Sequence, residues 1–328
     1  MYGPFIHRID PVFGEFAGFY LWFYGLSYSL GFLSIFLWFK RVRHQFGLTI
    51  DAVYSLTIYL AVGVLAGGRL LEVLFYEWPY YRQHLRQIPA AWLGGMSTHG
   101  VLLGVVVATA LFCRLHGKSL LVIADQLVIP GSYLMAMGRI GNFIDGQIVG
   151  SVTTVSWAVQ FPDAPGFRHP VVLYDGAKNF LILGLLLLLR RTKPAPGIIA
   201  AHFIFWYGFL RIFVDLFREY PTNLLGIATG QAFNILMAVI GAFLFFWFSR
   251  KQRAAKSDAS HVARVSEAQA DSRHLWLKRI VFAALLLFPL TLPSDWTQDI
   301  PARYGKRHPG MHYSGLYPHV EGNIPPPK

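Results

Sequence analysis

Charge is scarce in this sequence of 328 residues: 14% is Asp, Glu, Lys or Arg, against 54% hydrophobic residues. A soluble domain carries about a quarter of its residues charged, so that class is excluded. Cysteine is all but missing. With Cys113 as the single copy, no disulfide forms within the chain, and the thiol reads as a small packing residue. There is no Walker or Rossmann glycine pattern, no Cys/His spacing suited to zinc and no internal repeat. These gaps argue against nucleotide, metal and inverted-repeat transporter functions, and no cofactor is expected. The opening "MYGPFIHRIDPVFGEF" lacks the basic n-region, apolar h-region and small-residue cleavage site of a secretory signal, so the first span is expected to insert directly.

What the sequence has in abundance is long apolar runs. Segments able to cross ~30 Å of hydrocarbon lie at about 16–39, 52–76, 95–113, 120–143, 171–189, 197–217 and 229–249, with a shorter one at about 279–293. The 29 Lys and Arg against 17 Asp and Glu would suggest nucleic acid in a soluble protein, but their placement reports orientation instead. Lys40, Arg41 and Arg43 follow span one, Arg114 and Lys118 span three, Arg190, Arg191 and Lys193 span five, and Arg250, Lys251, Arg253 and Lys256 span seven. Basic loops stay in the cytoplasm, which puts the N-terminus and the 77–94 and 144–170 loops outside. The expected fold is an all-α polytopic membrane protein: a core of seven helices over 1–250, a polar linker over 251–278, an extra span over 279–293 and an outer tail over 294–328. That tail is rich in Pro, Gly, His and Tyr and reads as mostly irregular, its His308, His312 and His319 notwithstanding. Trp78, Tyr80, Tyr81 and Trp92 read as an interfacial aromatic belt.

An ionisable group inside a span costs about 2.5–3.5 kcal/mol on insertion scales, so each needs a partner, a wet cavity or a function. Here their depths agree. Arg69 lies in the outer third of span two, His99 at the outer start of span three, Arg139 near the outer end of span four, Arg211 in the outer third of span six, and Tyr24 in the outer part of span one. Each also has a bland reading. Arg69 with Glu72 and Arg211 with Asp215 have the spacing of intrahelical ion pairs, and Gly63, Gly67, Gly138 and Gly141 that of close helix packing. A level of arginines and one histidine at the outer leaflet suits an anionic phospholipid: guanidinium grips phosphate bidentately and stabilises charge on a departing phosphate, while imidazole takes a proton from a nucleophile. Residues alone do not name the acceptor.

The stretches "WFYGLSYSLGF", "GGRLLEVLFY", "GGMSTHGVLLG", "GRIGNFIDGQIVG", "WAVQFPDAPGFRHPVVLYDG", "YGFLRIFVDLFRE" and "GQAFNIL", spread in that order from Leu21 to Trp247, resemble the prolipoprotein diacylglyceryl transferases of bacterial inner membranes. The resemblance implies transfer of the diacylglyceryl group of phosphatidylglycerol to the cysteine thiol of a prolipoprotein signal peptide, with release of glycerol phosphate and without metal or nucleotide. It makes Arg139 and Arg211 the phosphate holders, His99 the candidate base, and Tyr24, Asn142 and Gly150 parts of the pocket wall. Arg69, Asp145, Gln147, Tyr174 and Asp215 complete the candidate substrate-binding set. The partners implied are phosphatidylglycerol, the signal peptide and membrane lipids, with no nucleic acid.

Departures from the pattern gather in its motifs. Asp145 stands for an asparagine, Gln147 for a glutamate, Val101 for the second glycine after the histidine, and Asp175 and Asp215 for glutamates. Glutamine keeps the hydrogen-bonding shape of glutamate and loses its charge; Asp145, two residues away, is positioned in sequence to supply it. Two alternatives follow: a paralogue with the same phospholipid pocket and a non-lipoprotein acceptor, or a non-catalytic phospholipid-binding membrane protein.

Overall fold

The computed structural model describes residues 4–218, 223–224, 227–255, 274–294 and 299–320. Its first departure from expectation is at the start of span one. Residues Val12–Phe16 (β2) and Phe19–Trp22 (β3) form an antiparallel hairpin, and helix α1 begins only at Phe23 and runs to Val42. Ala17 and Gly18 both have positive φ, 51° and 81°, the two-residue turn that matches strand twist. After the turn Tyr20 and Trp22 are buried while Phe19 and Leu21 are half-buried, the alternation of a strand. Joined directly to the apolar helix α1, the strand reads in sequence as part of one hydrophobic run, so the span expected from residue 16 begins only at Phe23.

The other runs fold as helices: α2 (Ile50–Leu71, prolonged by a π turn Glu72–Tyr76), a short α3 (Trp78–Tyr81), α4 (Thr98–Leu115), α5 (Leu120–Ile144), α6 (Val171–Arg191), α7 (Ile198–Asp215) and α8 (Thr229–Ala255). Thr49 and Ser97 cap α2 and α4 by accepting from the backbone N–H of Ala52 and Gly100. Among the described residues six helices are long and apolar enough to cross a membrane. The chain is a mostly helical, multi-pass membrane protein. Helix α1, diluted by Ser27, Ser29, Ser34, Tyr24 and Tyr28, is not among the six. The eighth predicted run becomes a 13-residue helix, α9 (Leu275–Leu287), followed by a 3₁₀ turn Phe288–Thr291. At 1.5 Å per residue α9 covers only ~20 Å. Residues 256–273 of the predicted linker lie outside the described residues.

Glycine sets the helix pairs. Gly63 and Gly67 of α2 meet Gly104 and Gly100 of α4 backbone to backbone, so that a Cβ at any of the four would overlap a facing carbonyl. Two small-xxx-small stripes thus interlock, as the sequence spacing predicts. Gly138 and Gly141 of α5 seat Tyr28, and Tyr24 with Ser27, of α1. Gly208 and Gly241 bring α7 and α8 together in the same way. Below, Phe32, Phe36, Phe39, Leu56, Leu60, Phe112 and Ile123 fill the main core.

The basic loops share one end of the bundle. Lys118 donates to the Gly47 carbonyl (2.8 Å), Arg190 to Gln45 (2.9 Å), and Gly197 at the start of α7 abuts Phe248 near the end of α8. At the opposite end sits a head. Its small sheet pairs Phe5–Ile6 (β1) with Val159–Gln160 (β4), and β4 with Phe167–Arg168 (β5). Among its described residues the tail predicted to be irregular has little regular structure beyond α10 (Ile300–Tyr304), but those residues are packed. Ile300, Tyr304, Met311 and Tyr317 form a second core with Val12, Tyr20, Trp22, Ala90 and Leu93. Trp92 belongs there too, donating to the Leu316 carbonyl at 3.1 Å, which removes it from the predicted aromatic belt.

Candidate active site

Four helices end in a buried cluster of charge. Asp175, one turn into α6 and 2% exposed along its side chain, receives Arg139 Nε of α5 at 2.6 Å and Lys178 Nζ of its own helix at 2.7 Å. Arg211 Nη1 of α7 closes on the same Asp175 oxygen as Arg139. Arg211 Nε also pairs with Asp215, one turn further along α7, at 2.9 Å, and Asn234 of α8 donates to the other Asp215 oxygen at 2.6 Å. Arg139 Nη1 donates to Asn142 at 3.1 Å. The Lys178 ammonium lies 3.7 Å from the centre of the Tyr207 ring.

Three cations therefore face two carboxylates, an excess of one positive charge where water is scarce. Guanidinium has five N–H donors; beyond the bonds of Arg139 to Asp175 and Asn142 and its contact with the Tyr207 hydroxyl, and with a quarter of its side chain exposed, Arg139 retains donors for an anion. Asn179, one turn below Asp175 and fully buried, has no hydrogen-bond partner among the described residues, which extends the polar character inward.

Arg69 is placed differently. Its Nε, Nη1 and Nη2 donate to the carbonyls of Ile88 (2.7 Å), Gly94 (2.5 Å), Gly95 (3.2 Å), Gln87 (2.9 Å) and Ala90 (3.4 Å), and its guanidinium covers the Tyr81 ring. Arg69, expected in the substrate-binding set, is thus a clamp on the 85–95 loop. Tyr81 is 2% exposed and so is packing and not belt; its burial pushes the hydroxyl up to about 12 against the opposing effect of the Arg69 charge.

His99, in the first turn of α4, is exposed and hydrogen-bonds Tyr76 at 3.0 Å through Nδ1. Tyr76 arrives there because α2 ends in a π turn, a distortion common at functional sites. Gly150 is tied into backbone: its N–H donates to His169, and a Cβ would meet the His169 and Phe217 carbonyls. The Tyr174 hydroxyl accepts from Trp157 Nε1 at 2.7 Å and bonds His169 Nδ1 at 3.1 Å, at the start of α6.

Asp145 and Gln147 both face the C-terminal segment. Fully buried Asp145 accepts from the Ser294 N–H at 2.9 Å and from the Ser294 hydroxyl through the same oxygen, while its carbonyl accepts from Arg307 at 2.7 Å. Arg303 donates to Gln147 Oε1 at 3.1 Å, and Gln147 donates to the Tyr304 hydroxyl at 3.4 Å. The carboxylate thought to replace the charge missing at 147 is therefore engaged with the tail. Beside it opens a cavity of about 150 Å³ bounded by Tyr24, Tyr28, Phe32, Thr98, Val101 and Leu292, among others. Tyr24 and Tyr28 back onto α5 next to Arg139, and Thr98 adjoins His99, so the cavity lies between the two candidate chemistries.

With that geometry in place, comparison with known sequences decides the family. The sequence model described as prolipoprotein diacylglyceryl transferase matches residues 11–247. The chain belongs to the prolipoprotein diacylglyceryl transferase family. Among proteins named phosphatidylglycerol–prolipoprotein diacylglyceryl transferase, that of Geobacter sulfurreducens is 37% identical over 255 residues, covering 75% of this chain and 97% of the relative. That of Nitrosomonas europaea is 39% identical over 253 residues (74% and 91%), and that of Oleidesulfovibrio alaskensis 38% over 264 residues (76% and 97%). Helix α9 and the tail lie beyond the residues that the family model matches.

Within this transferase-family core, sequence reasoning overlooked Lys178, Tyr207, Asn234 and Tyr76, and treated Asp175 only as a motif departure. One signal was available. Lys178 stands three residues after Asp175 in an apolar run, the spacing of an ion pair on one helix face. Tyr76 and Asn234 act across helices, and no local pattern marks them.

Proposed function

We propose that this chain moves the diacylglyceryl group of phosphatidylglycerol to the cysteine thiol of a prolipoprotein signal peptide at the outer face of a bacterial inner membrane. The observation that carries the reading is the convergence of Arg139 and Arg211, from two helices, on one anionic oxygen of Asp175. A phosphate brought to the donors Arg139 retains would lie in a field already positive by one charge. In the reaction, the acceptor sulfur forms a bond to the glycerol carbon that bears the phosphate, the bond from that carbon to the phosphate oxygen breaks, and glycerol phosphate leaves with the electron pair. Arg139 and Arg211 offset the charge that grows on the leaving group. His99, held by Tyr76 at the outer start of α4, takes the thiol proton. Thiol and lipid meet at the cavity between Tyr24 and Thr98.

A second reading keeps the lipid and changes the acceptor. It is favoured by Gln147, an uncharged residue where the family pattern has glutamate, bonded here to Arg303 and Tyr304. Purified protein given labelled phosphatidylglycerol and a cysteine-bearing signal peptide separates the two. The first reading expects release of glycerol phosphate and a peptide heavier by one diacylglyceryl group. Lipid consumed without peptide modification once an extract of membrane lipids and glycans is added as acceptor supports the second, and no release of glycerol phosphate even then refutes both.

A further inference from the structure

The segment from Lys278 to Ser294 is built into the molecule at both ends. Near the basic end, Lys278 of α9 donates to Asp51 (2.7 Å) and Ser55 (2.8 Å) of α2, and Phe282 packs on Phe36 and Tyr54. Halfway out the helix gives way to the 3₁₀ turn, and the Pro289 carbonyl lies so close to Gly25 of α1 that any Cβ there would overlap it. Non-helical backbone at membrane depth is tolerated only when protein covers it; Pro289 and Leu292 are both buried, the latter 9% exposed. At the outer end, Ser294 reaches Asp145 and Arg303 reaches Gln147.

This path makes Pro289, Leu292, Pro293 and Ser294 one side of the cavity whose other sides are Tyr24, Tyr28, Val64 and Val101. Its lining is chiefly aliphatic and aromatic, and such a site takes an aliphatic group. We propose that the 289–294 segment is a specificity-determining wall of the substrate cavity, in which Leu292 and Pro293 set the size of the aliphatic group admitted, with the contacts to Asp145 and Gln147 holding the wall in place. The transfer readout of this proposal rests on the function proposed above. Its ligand has two possible sources: an acyl chain of the phospholipid, or an apolar side chain beside the acceptor cysteine.

Two variants of the full chain resize the wall, Leu292→Ala outward and Leu292→Phe inward. Each is offered phosphatidylglycerols of differing chain length in one arm and acceptor peptides with Ala or Leu before the cysteine in the other. The expected result is a shift of about ten-fold in relative kcat/KM toward bulkier groups for Ala and the reverse for Phe, confined to the arm whose group occupies the cavity. Arg303→Ala, which frees the wall at its outer anchor, flattens the same preference. Unchanged preference in both arms, with thermal melting like the native protein, overturns the proposal. Leu292→Met serves if the alanine variant does not fold. Should the native chain release no glycerol phosphate, the function fails on its own account. Mass spectrometry of the lipids and peptides retained by pure native and Leu292 variants then still decides: a shifted selection supports the wall, and identical selection refutes it.

Discussion

Arg69 and Arg211 look alike in sequence: each lies in the outer third of a span with an acid three or four residues on. In the structure they hold opposite kinds of partner. Arg69 is surrounded by five backbone carbonyls and finishes as the keystone of a loop. Arg211 is shared between two carboxylates, one of which it shares in turn with Arg139 and Lys178. All five of the Arg69 N–H donors are taken by carbonyls, which would be left without donors if a phosphate displaced them. A carboxylate already bridging two guanidiniums marks a place where an anionic oxygen is stabilised. Depth along the span is common to both arginines; what separates them is the ligand set, which sequence spacing does not report.

The comparison breaks most sharply at Arg139. Arg139→Ala is expected to lower kcat/KM for glycerol phosphate release by about 10²–10³, with Arg139→Lys restoring only part because an ammonium lacks the planar fork. On the other side of the contrast, Arg69→Ala leaves buried carbonyls without donors and should destabilise the protein by about 2–4 kcal/mol. Thermal melting in detergent reads that loss, and the Michaelis constant for phospholipid should stay near the native value. Coupling inside the cluster comes next. Asp175→Asn leaves three cations facing one another, and adding Lys178→Met should recover about 1–3 kcal/mol in a double-mutant cycle on stability. Asp145→Asn should cost about 1 kcal/mol, seen as faster proteolysis after Arg303 and Arg307. The smallest effect concerns pH. His7, buried in the head against the Phe143 carbonyl, has its pKa lowered by desolvation. The unfolded chain then binds the extra proton first, so stability is constant above about pH 6.5 and falls as pH drops below that value. Melting curves between pH 8 and 5 check this, and His7→Gln should flatten the dependence.

Much of this was legible. Apolar length located α2 and α4 to α8 within a few residues, because hydrocarbon thickness imposes it. Gly63 and Gly67 announced the contact with α4 because only hydrogen side chains allow that approach. The loop charges agreed on one end of the bundle. Of the residues matched by depth, Arg139 and Arg211 meet at Asp175 and Tyr24 lines the adjoining cavity, whereas Arg69 and His99 hold other partners. What stayed hidden depends on partners far apart in the chain: Asp145 with Ser294, Gln147 with Arg303, His99 with Tyr76. The hairpin at Val12–Trp22 was hidden for another reason, since an apolar strand joined to an apolar helix reads as one hydrophobic run.

The most direct measurement is diacylglyceryl transfer by Arg211→Ala and by Arg69→Ala, each normalised to folded protein. Phosphate binding at the α5–α7 cluster predicts a loss of at least about 100-fold in the first and a rate within about three-fold of native in the second, where only a loop clamp is removed. Equal losses in both, or full activity in Arg211→Ala, would contradict it.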